Sequence, residues 1–344
     1  MLETITIGHY LNKYPGLPIV DVRSPCEYKK GHIPNAVNVP IFTDEERADI
    51  GTTYKQQSKE RAIEIGMKFV QPKLQHFIDE TIRVAPDQTV VVHCWRGGMR
   101  SRSFAQHLVD NGFGQVYIIE SGYKAFRKYA LRAFEEDARL IILGGYTGSA
   151  KTELLKQIDG EFGYQVIDLE ELANHRGSAF GGIGQAPQPT VEQFENNVFW
   201  KWKDLDFSRE VWIEDESRAI GTVMIPEALF KKMRSQRMYF LDIPRAERAR
   251  HLVKDYGKSH TEKLQEAINR ISSRLGGLNT RQALQHLDKG EMFEVARIAL
   301  IYYDKYYARG VAKRDPKMVT SIPLKTTESD QNARQIIQAI IERT

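Results

Sequence analysis

Cysteine is scarce in this chain: Cys26 and Cys94 are the only two among 344 residues. That excludes a disulfide framework and suits a reducing compartment, so a cytoplasmic protein is expected. No apolar run approaches 18 residues, which excludes a membrane-spanning helix. The opening stretch MLETITIGHYLNKYPG has neither the basic nor the apolar region of a secretion signal, so none is expected. No internal repeat or low-complexity tract occurs. Charge of one sign is not in large excess either: the formal net charge is +4, which says little about partners unless it clusters. With 41% hydrophobic and 27% charged residues, the composition is that of a soluble globular protein long enough for two domains.

Short apolar runs at 18–23, 89–93, 116–120, 139–143, 165–169, 210–214 and 237–242 read as buried strands. Helical patterns lie between them, as at 60–82 and 101–111. Such alternation indicates α/β architecture with parallel sheets. The charged helix 123–137 closes one complete set, and a new strand with a glycine-rich loop comes directly after it. The boundary is therefore expected near 130–138, giving domains 1–135 and 136–344. Beyond about residue 245 the pattern turns helical, with long amphipathic segments at 245–275 and 291–309.

Cys94 ends a strand in VVHCWRGGMRSRSFAQHL (91–108). A thiolate is the reactive form, so its pKa must be lowered. Backbone N–H groups on the loop and the next helix N-terminus can do this. Gly97 and Gly98 are expected to let those amides converge, and Arg100 adds a planar cation. Trp95, Arg96, Gly97, Gly98 and Met99 then form a cradle for an anion above the sulfur. The alternative is a small buried hydrophobe. His93-Cys94-x-x-Gly97-x-x-Arg100-Ser101 fits two chemistries, a cysteine-dependent phosphatase and a rhodanese.

The upstream stretch IVDVRSPCEYKKGHIPNAVNVP (19–40) decides between them. Asp21-Val22-Arg23, Glu27-Tyr28, Gly31-His32-Ile33 and Ala36 to Pro40 closely resemble the opening of the rhodanese family, and the match spans residues 10–130. The loop departs from common sulfurtransferases by one extra residue between the Cys and the Arg. A wider cradle suits a phosphate-sized anion or selenium. Cys26 lies where that family tolerates many residues and is read as structural.

RLIILGGYTGSAKTELL (139–155) is a strand, a glycine-rich loop, then Lys-Thr opening a helix, which is the P-loop arrangement. Gly145, Tyr146, Thr147, Gly148, Ser149, Ala150, Lys151 and Thr152 are the expected diphosphate-binding residues. Ala150 replaces the usual second glycine and is acceptable there if its φ is negative. The strand VWIEDESRAIG (211–221) ends in Glu214, Asp215 and Glu216. Thr152, Glu214 and Asp215 are candidate Mg²⁺ ligands, unless the acidic run is only a solvated loop. FLDIPRAERARHL (240–252) resembles the arginine-bearing lid of P-loop kinases, yet no adenine-binding signal is present. The long Gly/Pro/Gln segment 175–196, with His175 and Arg176, could line a substrate channel. His175, Arg176, Asp168 and Arg218 are candidate substrate-binding residues.

Three stretches, 231–238, 245–258 and 302–315, interleave Lys and Arg with Met or Tyr. Each alone reads as a solvated helix face, and the tyrosines of 302–307 partly mark a buried stripe. Together the stretches point to single-stranded RNA binding.

A rhodanese unit with an extended cysteine loop, HCWRGGMRS (93–101), joined in one chain to GGYTGSAKTELL (144–155), NHRGSAFGGIG (174–184), FEN (194–196) and EDESRAIG (214–221), resembles the tRNA 2-selenouridine synthase family over nearly its whole length. The resemblance implies a transferase acting on the wobble uridine of tRNAs for Lys, Glu and Gln. It implies S-geranylation of 2-thiouridine by geranyl diphosphate, then replacement of the S-geranyl group by selenium from selenophosphate. Cys94 would carry selenium as a perselenide with Arg100 beside it. The phosphate loop would hold the prenyl diphosphate, with Mg²⁺ assisting and no tightly bound cofactor. The 175–196 segment would shelter the apolar tail. A monomer without a membrane partner is expected. Competing readings are a cysteine phosphatase joined to an NTPase, an RNA-binding nucleotide switch, and a plain thiosulfate sulfurtransferase.

Overall fold

The computed structural model describes residues 1–256 and 260–341. The chain divides into two compact units, Met1–Ala133 and Phe134–Thr344.

In the first unit five strands form one parallel sheet: β1 (Leu2–Ile5), β2 (Ile19–Asp21), β3 (Val37–Asn38), β4 (Thr89–His93) and β5 (Gln115–Ile119). Their order is β1-β5-β4-β2-β3. Val90, Val91 and Val92 are fully buried at its centre. A strand covered on both faces needs such a continuous β-branched run. The expected helix over 60–82 is divided: Lys59–Val70 and Leu74–Val84 flank a 3₁₀ turn at Gln71–Lys73. Pro72 lies in that turn, where it cannot donate a hydrogen bond to a continuing helix.

The second unit has a parallel sheet of β6 (Leu140–Gly145), β7 (Gln165–Ile167), β8 (Val211–Glu214), β11 (Met238–Asp242) and β12 (Val319–Pro323), in the order β12-β11-β6-β8-β7. A two-stranded antiparallel ribbon, β9 (Ala219–Ile220) with β10 (Val223–Met224), comes after β8. β6 is central, and the chain leaves it first toward β7 and β8 and later toward β11 and β12. That reversal opens a crevice at the carboxyl end of β6, where ligands of open α/β sheets bind.

Five strands lie outside the expected runs, two of them the short β9–β10 ribbon. β1 and β12 are edge strands with polar residues, β1 mostly exposed and β12 half-exposed, and β3 is only two residues long. β12 also interrupts the helical character expected after residue 245. The amphipathic 245–275 segment comprises two helices, Arg245–Tyr256 and Thr261–Leu275. Gly257 and Lys258, which end the basic 245–258 stretch, lie outside the described residues. Helices Thr261–Leu275, Gly277–Asp288 and Met292–Val311 enclose an apolar core of their own. Phe180, from the 175–196 segment, is buried in it.

Candidate functional site

In the first unit the Cys94 side chain lies at the end of central β4 and is 3% exposed. Burial alone would raise its pKa. The Ser101 hydroxyl 3.3 Å from Sγ, the backbone N–H groups of Arg96 and Ser101, and the Arg100 cation outweigh that, so the thiol titrates below its usual value. Arg100 is held in turn by Glu27, to which its Nη1 donates at 2.9 Å. Glu27 is half-buried; burial opposes its ionisation, and the bond and charge of Arg100 overcome that. An anion arriving over the sulfur therefore competes with Glu27 for Arg100.

Below the loop, Arg23 donates to Asp21 at 2.6 Å and to the Gly31 carbonyl at 2.7 Å, with the Arg23 and Asp21 side chains fully buried. His93 Nε2 stands 3.7 Å from Asp21, and burial lowers the pKa of the imidazole. These residues come from the rhodanese-like opening and the strand beside it, and the Arg23 guanidinium lies 5.9 Å from the ring centre of Trp95 in the loop.

Two glycines are obligatory in this loop, and Gly98 is not one of them. Gly97 has φ +60°, and a Cβ there would lie 2.5 Å from the Ile119 carbonyl oxygen. Gly122 has φ +54°, and its Cβ would meet the Cys94 carbonyl oxygen at 2.2 Å. At Gly98 φ is −93° and nothing lies within 4 Å of a built Cβ. The expected pairing of Gly97 with Gly98 is thus corrected: the tight approach is between Gly97 and the start of helix Gly122–Ala133.

In the second unit a cleft of about 1320 Å³ lies over the phosphate loop. The loop links β6 to helix Lys151–Phe162. Gly148 has φ +81° and a Cβ would press on the Arg248 backbone at 2.9 Å. Ala150 has φ +54°, so the expectation of a negative φ fails. The left-handed turn that glycine usually makes here is kept, and alanine bears the strain. Ser149 is buried and its Oγ has no partner.

Groups distant in sequence brace the loop. Arg248, buried, donates to the Thr147 carbonyl at 3.0 Å and to both oxygens of Asp304 at 2.8 and 3.0 Å. The Tyr307 hydroxyl accepts from the Gly145 N–H at 3.1 Å and donates to Asp215 at 2.8 Å. The arginines of the lid-like stretch are therefore committed: Arg245 also pairs with Asp304, at 2.8 Å.

The acidic wall differs from expectation. Asp215 pairs with Arg314 at 2.5 Å and Arg234 at 3.4 Å, besides Tyr307, so its charge is already balanced. Glu214 is buried behind the wall, accepting from the Glu170 N–H at 2.8 Å through one oxygen, while the other has no partner. Thr152 instead donates to Glu170 at 3.0 Å, and Glu170 shares a hydrogen bond with Glu216. Burial, and for Glu216 the charge of Glu170, raise the pKa of both; Lys151 opposes this. Two half-buried carboxylates on the cleft wall, beside a hydroxyl and a phosphate loop, are hard oxygen donors of the kind Mg²⁺ takes. Thr152, Glu170 and Glu216 thus offer oxygen donors suited to a divalent ion, and Glu153, His251 and Asp255 form a second cluster at the cleft whose ligand atoms lie within 4.8 Å of one another.

A family model described as the tRNA 2-selenouridine synthase AAA domain matches residues 138–329, over half of the chain. This chain belongs to the tRNA 2-selenouridine synthase family. A rhodanese-like domain model matches residues 9–129. A relative of that family name from Nitrosomonas europaea is 39% identical over 250 residues, covering 70% of this chain and 63% of its own. One from Nitrosomonas eutropha is 34% identical, covering 86% of this chain and 89% of its own. Another, from Sulfurovum sp., is 33% identical, covering 84% and 87%.

In this member of the tRNA 2-selenouridine synthase family, the candidate substrate residues separate. Arg176 and Arg218 line the cleft. Arg176 pairs with Asp255 at 3.0 Å, and Arg218 lies 3.7 Å from Glu227. Asp168 and His175 do not line it. Asp168 caps helix Leu169–Leu172, accepting from the Glu171 N–H at 2.7 Å, and burial raises its pKa to about 6. His175 is closely approached by Gly181 and Gly221, and burial lowers its pKa. From the basic stretches, Arg234, Tyr302, Tyr306, Arg309 and Lys313 reach the cleft, joined by Arg270 and Arg274. Tyr306 is exposed there. Among the described residues no helix is long and apolar enough to cross a membrane.

Sequence reasoning missed Glu170, Tyr307 and Gly122 as site-building residues. Glu170 lies three residues beyond β7 with no motif around it. Tyr307 reads, from its spacing, as part of a buried stripe. Gly122 could have been found, because Ser-Gly after a strand is a turn signal.

Proposed function

We propose that this chain converts 2-thiouridine to 2-selenouridine at the wobble position of tRNAs for Lys, Glu and Gln, in two steps. The observation that carries the reading is the presence of two differently built anion sites in one chain. One is a thiol cradle with Arg100, and the other is a phosphate loop under a basic cleft.

In the first step the sulfur on C2 attacks C1 of geranyl diphosphate. A C–S bond forms, the C–O bond breaks, and pyrophosphate leaves. Lys151 and the N–H groups of 145–152 take up the charge that develops on the leaving group. Mg²⁺, when bound at Thr152, Glu170 and Glu216, would supply further charge neutralisation. The rim cations and the exposed Tyr306 suit an RNA strand with an unstacked base.

In the second step selenium replaces the S-geranyl group at C2, which departs as the thiol. Alkylation turns a poor leaving group into a better one. Cys94 and Arg100 serve selenium delivery from selenophosphate. Loading Cys94 as a perselenide removes two electrons, because selenophosphate carries selenium at the −2 level, so a disulfide-class oxidant is needed and water takes the phosphoryl group as phosphate. The perselenide attacks C2, and an added thiol then cleaves the S–Se bond of the adduct, returning the two electrons and freeing Cys94. The chain acts as a cytoplasmic monomer with no resident cofactor.

The test is mass spectrometry of nucleosides from 2-thiouridine tRNA incubated with the protein, Mg²⁺, geranyl diphosphate and selenophosphate, each omitted in turn. A geranyl-thio product forms without selenophosphate and becomes 2-selenouridine when it is added. Cys94→Ser abolishes the second conversion and spares the first; Lys151→Ala abolishes the first. Unchanged tRNA under every condition returns the cysteine loop to a phosphatase or sulfurtransferase role.

A further inference from the structure

Beside the phosphate loop an apolar pocket opens among Phe180, Leu252, Leu264, Val295, Ala299 and Leu300. Its mouth is shared with the cleft: Thr147, Ser178, Leu252, Tyr256 and Tyr303 line both. Thr147 belongs to the phosphate loop itself. The pocket's polar side chains are thus all at the mouth, and the Tyr303 hydroxyl is occupied there, accepting from the Ala179 N–H at 2.9 Å. The interior is hydrocarbon.

We propose that this pocket receives the hydrocarbon tail of the allylic diphosphate whose charged end sits on the phosphate loop; the inference rests on the prenyl-transfer reading above. A ligand that fills both compartments carries a diphosphate at one end and an apolar chain at the other. A nucleoside fits poorly, because its base would bring ring nitrogens and exocyclic groups into a pocket that offers them no partners. The 175–196 segment contributes less than its length suggests: Ser178 and Phe180 reach the pocket. Helices Arg245–Tyr256, Thr261–Leu275 and Met292–Val311 supply the rest of the wall. The pocket between these packed helices is narrow, about 50 Å³, so side chains that change its room are expected to change the chain length accepted.

The experiment measures prenyl transfer to 2-thiouridine tRNA with five-, ten- and fifteen-carbon allylic diphosphates, together with binding of inorganic pyrophosphate. Ala299→Phe places a ring in the pocket. Its kcat/KM for the ten-carbon donor is expected to fall about tenfold or more relative to the five-carbon donor, with pyrophosphate binding retained. Val295→Ala deepens the pocket and is expected to shift preference toward the fifteen-carbon donor; it carries the test if thermal melting shows Ala299→Phe to be unfolded. If both folded variants keep the parent's chain-length preference, the pocket assignment is overturned while the prenyl-transfer reading stands. If the unmodified protein transfers no prenyl group and binds pyrophosphate alone, the underlying reading falls and the inference with it.

Discussion

Replacing Gly122 by alanine tests whether the cysteine loop is shaped by backbone crowding. The new Cβ would sit 2.2 Å from the Cys94 carbonyl oxygen, 2.6 Å from Gly97 N and 3.0 Å from Arg96 N, at φ +54°. The left-handed conformation costs an L-residue about 1–2 kcal/mol. Forcing backbone apart in a packed site adds roughly 1–3 kcal/mol. The loss expected is therefore about 2–5 kcal/mol, read from hydrogen exchange of the β4 and β5 amides in urea. The displacement also pushes on the Arg96 N–H, one of the groups that lower the Cys94 pKa. In a Cys26→Ser background, the inflection of iodoacetamide alkylation against pH should move up, toward that of an ordinary thiol. Gly98→Ala, with open space around its Cβ, should stay within about 0.5 kcal/mol of the parent and keep its alkylation profile. If Gly122→Ala matches Gly98→Ala in both measurements, the crowding argument is wrong.

The parent's own pH behaviour has a definite sign. Cys94 has a depressed folded-state pKa, so its contribution to stability grows as pH rises through that value and is complete above the usual thiol range, by denaturant titration across pH. Asp215→Ala leaves Arg314 buried without its carboxylate, a loss of about 3–5 kcal/mol; thermal melting should show it. Glu216→Gln should instead leave melting nearly unchanged and raise the Mg²⁺ concentration needed for half-maximal prenyl transfer; equal Mg²⁺ dependence would remove Glu216 from the ion site. Ala150→Gly should change stability by less than about 1 kcal/mol, because relief of strain offsets the greater freedom of the unfolded chain. Ala150→Val should cost more than that in the same denaturant series, since a β-branched residue tolerates this φ poorly.

The two parallel sheets are legible because their central strands are continuous apolar runs ending in loops with strong local chemistry. TVVVH before Cys94 and LIILGG before the phosphate loop each announce both a strand and the anion site at its end. Edge strands announce little. VTSIP at 319–323 is half-exposed and polar, and its pairing with β11 depends on contacts far away in sequence. The acidic wall is misread from sequence for a related reason. Glu214, Asp215 and Glu216 look equivalent there, yet strand geometry turns one into the interior, one toward Arg314 and one toward Glu170. Nothing near residue 215 reveals that Arg314 lies beside it. The rise in the Asp168 pKa, similarly, comes from burial, which a sequence does not display.

One long helix, Met292–Val311, meets both ends of the proposed ligand. Asp304 and Tyr307 hold the braces of the phosphate loop, while Val295 and Ala299 lie in the wall of the apolar pocket. Val295 and Asp304 are separated along the axis by about 13 Å, at 1.5 Å per residue. In the proposed binding mode the helix is a ruler, its zero mark at the diphosphate and its graduations the side chains facing the tail. A relative that moved its bulky residue by one turn along this helix would read a different length of chain with the same chemistry at the other end.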